Sequence, residues 1–198
     1  MSRQPSSEKR RAILAGALKV FAHDGYTRAS VDAIAAEAGA STRTIYNHFQ
    51  DKAHLFHTVI EESAHRVAEA QIALVALHLG EVVDLEADLV AFGMAMAEPV
   101  AESADHFALV RQINAQAGHI PRCAIDAWQE TGPLRVRRAL AEHLRRVPQL
   151  RGADPLVLAL HLLKLVSTTD PSYRARQPAD VGAIVAAGVG CFLRGYSG

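Results

Sequence analysis

The chain has 198 residues, 49% of them hydrophobic, with 21 basic and 21 acidic side chains and no net charge. This length fits one large domain, or a small domain joined to a larger one, with enough apolar residues for a substantial core. Overall neutrality argues against indiscriminate coating of nucleic acid, yet the first 55 residues carry eight basic and five acidic side chains, a surplus that suits a polyanion.

Strand signals are nearly absent, and apolar residues recur at three- and four-residue spacing, so an all-α protein is expected. Ser6 and Ser7 can cap a first helix over Ser7–His23, with Ile13, Leu14, Ala17, Leu18 and Phe21 on its inner face. Asp24-Gly25 ends it. Ser30 caps a short helix from Val31 to Ala38, with Ala33 where a capping-box glutamate would stand. Gly39 turns the chain, Ser41 caps a third helix over Thr42–His48, and Asp51 caps a long fourth helix reaching Leu79. Helical patterns follow from Val82 to Ala97, from Ser103 to Ala117, and from Pro121 to Arg146, the last kinked or split at Gly132-Pro133. Pro148 and Gly152 break the chain, Asp154-Pro155 starts a helix to Val166, Asp170 to Pro178 is a connector, and Asp180 precedes a final helix to Arg194.

The segment from Ala33 to Phe49 reads as a helix-turn-helix. Ile34, Ala35, Ala38, Ile45 and Phe49 supply an apolar inner face, and Gly39 supplies the turn. Thr42, Arg43, Thr44, Tyr46, Asn47 and His48 are left to point outward. Arginine reads guanine O6/N7, asparagine reads adenine N6/N7, and threonine donates to phosphate or base. Lys52 is placed for a phosphate contact. The competing reading is a plain helical bundle whose short polar helix is merely solvated.

A resemblance favours the first reading. Lys9 to Leu14, Phe21-Ala22-His23-Asp24-Gly25-Tyr26, Ser30 to Gly39, Thr44-Ile45-Tyr46-Asn47-His48-Phe49, Lys52 and Leu55-Phe56 resemble the N-terminal domain of TetR-type (tetracycline-repressor-like) transcriptional regulators over about the first 60 residues. The resemblance implies a helix-turn-helix DNA-binding domain over residues 1–52, fused through a long helix to a ligand-binding and dimerisation domain over 53–198. Ser30, Ser41, Thr42, Arg43, Thr44, Tyr46, Asn47, His48 and Lys52 form the expected DNA-contact set. By this resemblance Thr42, Tyr46, His48 and Lys52 meet phosphates, whereas Thr42, Arg43, Thr44 and Asn47 read bases. Arg43 departs from the small residue common there, and Thr42 stands where a lysine is typical. Tyr46 has a second reading, a ring packed in the three-helix core with its hydroxyl at the surface. The polar arm from Ser2 to Arg11 either touches a phosphate or the minor groove, or is a solvated tail.

The resemblance further implies a homodimer on a palindromic operator, released by a small-molecule effector, with the pocket among the middle helices and dimerisation through the last two. Phe92, Met96, Phe107, Gln116, His119, Trp128 and His161 are pocket candidates whose character suggests an apolar or amphipathic effector. Gly182, Ala183, Ala186, Ala187 and Gly190 share one face of the final helix, with Leu156, Leu160 and Leu163 on the preceding one. Such a stripe serves a dimer interface or packing within one chain.

Cys123 and Cys191 are too far apart for a metal knuckle and read as buried free thiols of a reducing compartment. No secretory signal is visible, and the apolar run from Val181 to Leu193 is interrupted by glycines and shorter than the roughly 20 residues that span a bilayer. A cytoplasmic protein with no membrane partner and no cofactor is expected. His57, Glu61 and His65 have i, i+4, i+8 spacing that can bind a metal, although a solvated helix face explains them; a metal-sensing regulator using the C-terminal histidines, or less readily a metal-binding bundle enzyme, is the alternative. Neither HExxH, nor a Gly-x-Ser-x-Gly elbow, nor a phosphate loop is present, and a non-enzyme is expected.

Overall fold

The structure is a computed structural model that describes residues 5–98, 103–150, 152–167 and 178–196. Among the described residues all regular structure is helical. The helices are α1 (Pro5–Arg28), α2 (Val31–Glu37), α3 (Thr42–His48), α4 (Lys52–Leu79), α5 (Leu85–Ala97), α6 (Ala104–Ala115), α7 (Arg122–Thr131), α8 (Pro133–Leu144), α9 (Pro155–Leu165) and α10 (Pro178–Tyr196). The expected all-α class is correct. None of the described helices is long and apolar enough to cross a membrane.

Most differences from expectation lie at helix ends. The Asp24-Gly25 stop appears as a kink, because Gly25 has φ 76° and ψ 172° while helix resumes to Arg28. Gly132-Pro133 does split the expected long helix, with Pro133 opening α8, where a missing N–H costs nothing. The last helix starts at Pro178 rather than after Asp180, for the same reason. Most of the expected 170–178 connector and residues 1–4 of the polar arm lie outside the described residues. Both cysteines are exposed free thiols, not buried ones.

The chain packs as two compact units. The first comprises residues 1–67 and 100–133, the second 68–99 and 134–198. Each has its own core. In the first, Ile13, Phe21, Ile34, Ile45, Phe49, Phe56, Ile60, Leu109 and Ile113 are buried together. In the second, Phe92, Leu140, Leu158, Leu162, Val185, Val189 and Phe192 are. Helices α6 and α7 therefore belong to the same unit as the three N-terminal helices, with α6 packed against α1, which the sequence did not suggest.

Candidate nucleic-acid interface

Helix α2 begins at Ser30, whose Oγ accepts from Ala33 N at 3.1 Å, a good N-cap even without the capping-box glutamate. Its end is a Schellman turn. Gly39 takes φ 60°, its N–H donates to Ala36 O at 3.3 Å, and Ala40 N donates to Ala35 O at 2.9 Å. A Cβ on Gly39 would meet nothing within 4 Å, so the turn needs glycine for its backbone angle and not for space. Ser41 then caps α3, accepting from Thr44 N at 3.1 Å with Thr44 Oγ1 only 2.8 Å from Ser41 Oγ.

Helix α3 is anchored by Ile45 and by Phe49 just past its end, 1% and 2% exposed. The face opposite them is open. Arg43, Asn47 and Tyr46 are exposed, whereas Thr42, Thr44 and His48 are half-buried. Tyr46 is 55% exposed, so its ring does not pack in the core, and that expectation is corrected. The side chains of Arg43 and Asn47 make no hydrogen bond or ion pair with another described residue. The cap hydroxyl of Ser30 accepts from the backbone and keeps its own proton for an outside acceptor. Behind this face, Arg10 on α1 pairs with Glu62 at 2.7 Å and lies 5.6 Å over the Phe49 ring, so it is not part of a solvated tail.

Lys52 is not waiting for a ligand in this structure. Its Nζ donates to Tyr26 O at 3.0 Å, Ala29 O at 3.1 Å and Thr27 O at 3.4 Å, and sits 4.9 Å over the Tyr26 ring. A cation at the last carbonyls of a helix is favourable, and these belong to the end of α1. The sequence offered no signal for this, because the partners lie 23 to 26 residues away.

The seven pocket candidates divide between the units. Phe107, Gln116, His119 and Trp128 belong to the first, and Phe92, Met96 and His161 to the second. Phe92 is wholly buried core, His119 is exposed, His161 Nδ1 is hydrogen-bonded to the Tyr196 hydroxyl, and Gln116 is bonded to Thr27. Trp128 stands apart, because its indole N–H is buried without a partner among the described residues. The sequence reading missed a buried polar pair in the same unit, Ser63 and His106, 3.1 Å apart. On the expected dimer face, Ala183, Ala186 and Ala187 are exposed, Gly182 and Gly190 are half-buried, and so are Leu160 and Leu163, with Leu156 48% exposed. His57 Nδ1 pairs with Glu61 at 3.1 Å, and no three His, Cys, Asp or Glu side chains among the described residues converge as a metal site.

A short helix held from behind by buried apolar side chains, with an uncommitted arginine and asparagine on its outer flank, has the geometry of a helix-turn-helix motif. The family profile described as bacterial regulatory proteins, tetR family, matches residues 13–59. The chain is 41% identical over 63 residues to the transcriptional repressor AcnR of Corynebacterium diphtheriae, covering 32% of this chain and 33% of that protein. It is 34% identical over 80 residues to the transcriptional regulator AcrR of Shigella flexneri, covering 40% and 37%. The matched segment thus spans about a third of the length of these curated relatives. Across its whole length the chain is similar to the crystal structure of a putative TetR-family transcriptional regulator from Mesorhizobium loti, with TM-score 0.82, 28% identity, and 99% and 100% of the two chains covered. Residues 13–59 thus match the tetR-family model, and the chain as a whole is similar in fold to a TetR-family regulator.

Proposed function

We propose that this chain is a ligand-responsive transcriptional regulator, acting as a repressor inside the cell, that binds a palindromic operator as a homodimer and leaves it when a small molecule binds. Residues 1–52 carry DNA recognition and 53–198 ligand binding and dimerisation, a functional division that need not follow the packing units. The observation that carries this reading is the outer flank of α3, where Arg43 and Asn47 are exposed and uncommitted. Arg43, Thr44 and Asn47 read base edges. Thr42, Tyr46, His48 and the cap hydroxyls of Ser30 and Ser41 meet phosphates. The effector is apolar or amphipathic and carries a hydrogen-bond acceptor. The unpartnered indole N–H of Trp128 supports the second property, since a buried donor without a partner is costly.

Selection of bound duplexes from random DNA tests the reading. An inverted repeat is expected. Arg43→Ala and Asn47→Ala should each relax preference at particular base pairs by about 1–3 kcal/mol and leave others untouched. Uniform weakening across all positions would show that these residues do not read bases.

A further inference from the structure

Thr27 and His23 stand four residues apart on α1, the spacing of a helical N–H to C=O hydrogen bond. That bond needs helical backbone angles between donor and acceptor, and Gly25 with φ 76° and ψ 172° opens it. Beyond the kink, Ala29 N donates to Gly25 O at 3.2 Å. The separated groups are bridged from α6. Gln116 Oε1 accepts from Thr27 N at 3.3 Å and from Thr27 Oγ1 at 3.4 Å. Gln116 Nε2 donates to Gln112 Oε1 at 3.2 Å, and Gln112 Nε2 donates to His23 O at 3.4 Å.

Two side-chain amides one turn apart therefore complete, in series and with a single polarity, the hydrogen bond that α1 has lost. The arrangement requires glycine at the kink. A Cβ on Gly25 would lie 2.2 Å from Gln116 Nε2 and 2.9 Å from Gln112 Oε1, and its φ is in the left-handed region that side chains resist. The same turn is held on its carbonyl side by Lys52, and it leads within three residues to Ser30, the cap of α2.

We propose that Gln112 and Gln116 are positioning residues for DNA binding: by standing in for the hydrogen bond that Gly25 breaks, they hold the turn into α2, and with it α3, in the setting that fits DNA. This rests on the reading of α3 as the DNA-binding element. With the glutamines withdrawn, Gly25 is free to take right-handed helical angles and Thr27 N re-pairs with His23 O. The kink thus has two arrangements with matched backbone hydrogen bonding, and the position of α6 selects between them. Both glutamines lie outside the segment that matches the family profile.

The test uses the full chain and a duplex selected from random DNA, titrated over a salt series with thermal melting alongside. Gln112→Met with Gln116→Met should bind about three- to tenfold more weakly, the fold-change expected for a net hydrogen bond or so. The slope of log K against log salt should not change, because no phosphate contact is removed. The melting temperature should also hold. Gly25→Ala should weaken binding too, and adding both glutamine substitutions to it should cost little more, since all three act through one kink. Arg43→Ala separates the two readings: if it binds as wild type does, the DNA-binding reading of α3 fails. If it is weakened while the double glutamine variant stays within about twofold of wild type, the positioning role is overturned. A flattened salt slope, or a loss of binding that only tracks a lowered melting temperature, overturns it as well.

Discussion

At the scale of single residues, Lys52 illustrates how a charge suited to one partner can be engaged by another. An ammonium has three N–H bonds, and three carbonyls of the turn after Gly25 lie within reach of this one. A lysine free to meet a phosphate would contribute about 0.9 to the slope of log K against log salt. The bonding here predicts that Lys52→Met weakens DNA binding while lowering that slope by clearly less than this amount. Affinity measured over a salt series checks it. A full drop of about 0.9 would mean that the ammonium leaves its carbonyls for DNA.

At the scale of elements, a buried polar contact joins α4 and α6. His106 is 6% exposed, and its Nδ1 lies 3.1 Å from Ser63 Oγ. Ser63 donates its only proton to Ile60 O at 3.2 Å, so the imidazole Nδ1–H is the donor in the pair. Burial, and then the nearby charge of Arg66, lower the His106 pKa to about 4. Above pH ~6.5 the ring is neutral in the folded and unfolded chains alike. As pH falls from there toward 4, the unfolded chain takes up a proton that the folded chain refuses, so stability declines. The full effect is on the order of 3 kcal/mol. Melting temperature should therefore fall between neutral pH and pH ~4.5 for wild type, and fall less for His106→Gln. Equal pH profiles for the two would exclude His106 as the source.

At the scale of the whole molecule, the last two helices separate an inner face from an outer one. Val185, Val189 and Phe192 of α10 are buried with Leu158 and Leu162 of α9. Gly188 permits this approach, since a Cβ there would lie 2.3 Å from Leu165 O. That leaves Ala183, Ala186 and Ala187 on the open side of α10, and Leu156 and Val157 of α9 are 48% and 41% exposed. Packing within the chain thus uses a different face from the small-residue stripe, which favours the stripe as the dimer surface. Two-fold pairing of the chain is what the proposed palindromic operator requires, with half-sites about one DNA turn apart, roughly 34–36 Å. If the proposed dimer forms through this surface, Leu156→Glu combined with Ala187→Glu should convert it to monomers in sedimentation equilibrium and sharply reduce affinity for the selected duplex, with each monomer still helical. A persistent dimer would place the interface elsewhere.

The helix-turn-helix was legible because its determinants are local. The hydroxyl caps at Ser30 and Ser41, the left-handed turn at Gly39 and the apolar spacing of Ile34, Ile45 and Phe49 act within a few residues, and α3 spans the expected Thr42–His48. The break at Gly132-Pro133 was readable for the same reason. Burial of the cysteines was misjudged because a thiol's exposure depends on which helix face meets a neighbour, and periodicity alone does not say that for Cys123 or Cys191. Residues 89 positions apart join Thr27 to Gln116, and 43 separate Ser63 from His106. Pairings of that kind have no signature along the chain, because they arise only when packing brings two helices side by side. Sequence alone therefore determined that this is an all-helical protein with a helix-turn-helix in its first quarter. Tertiary packing decided what holds that helix in place, since apolar burial orients whole helices and only then can their polar side chains find one another.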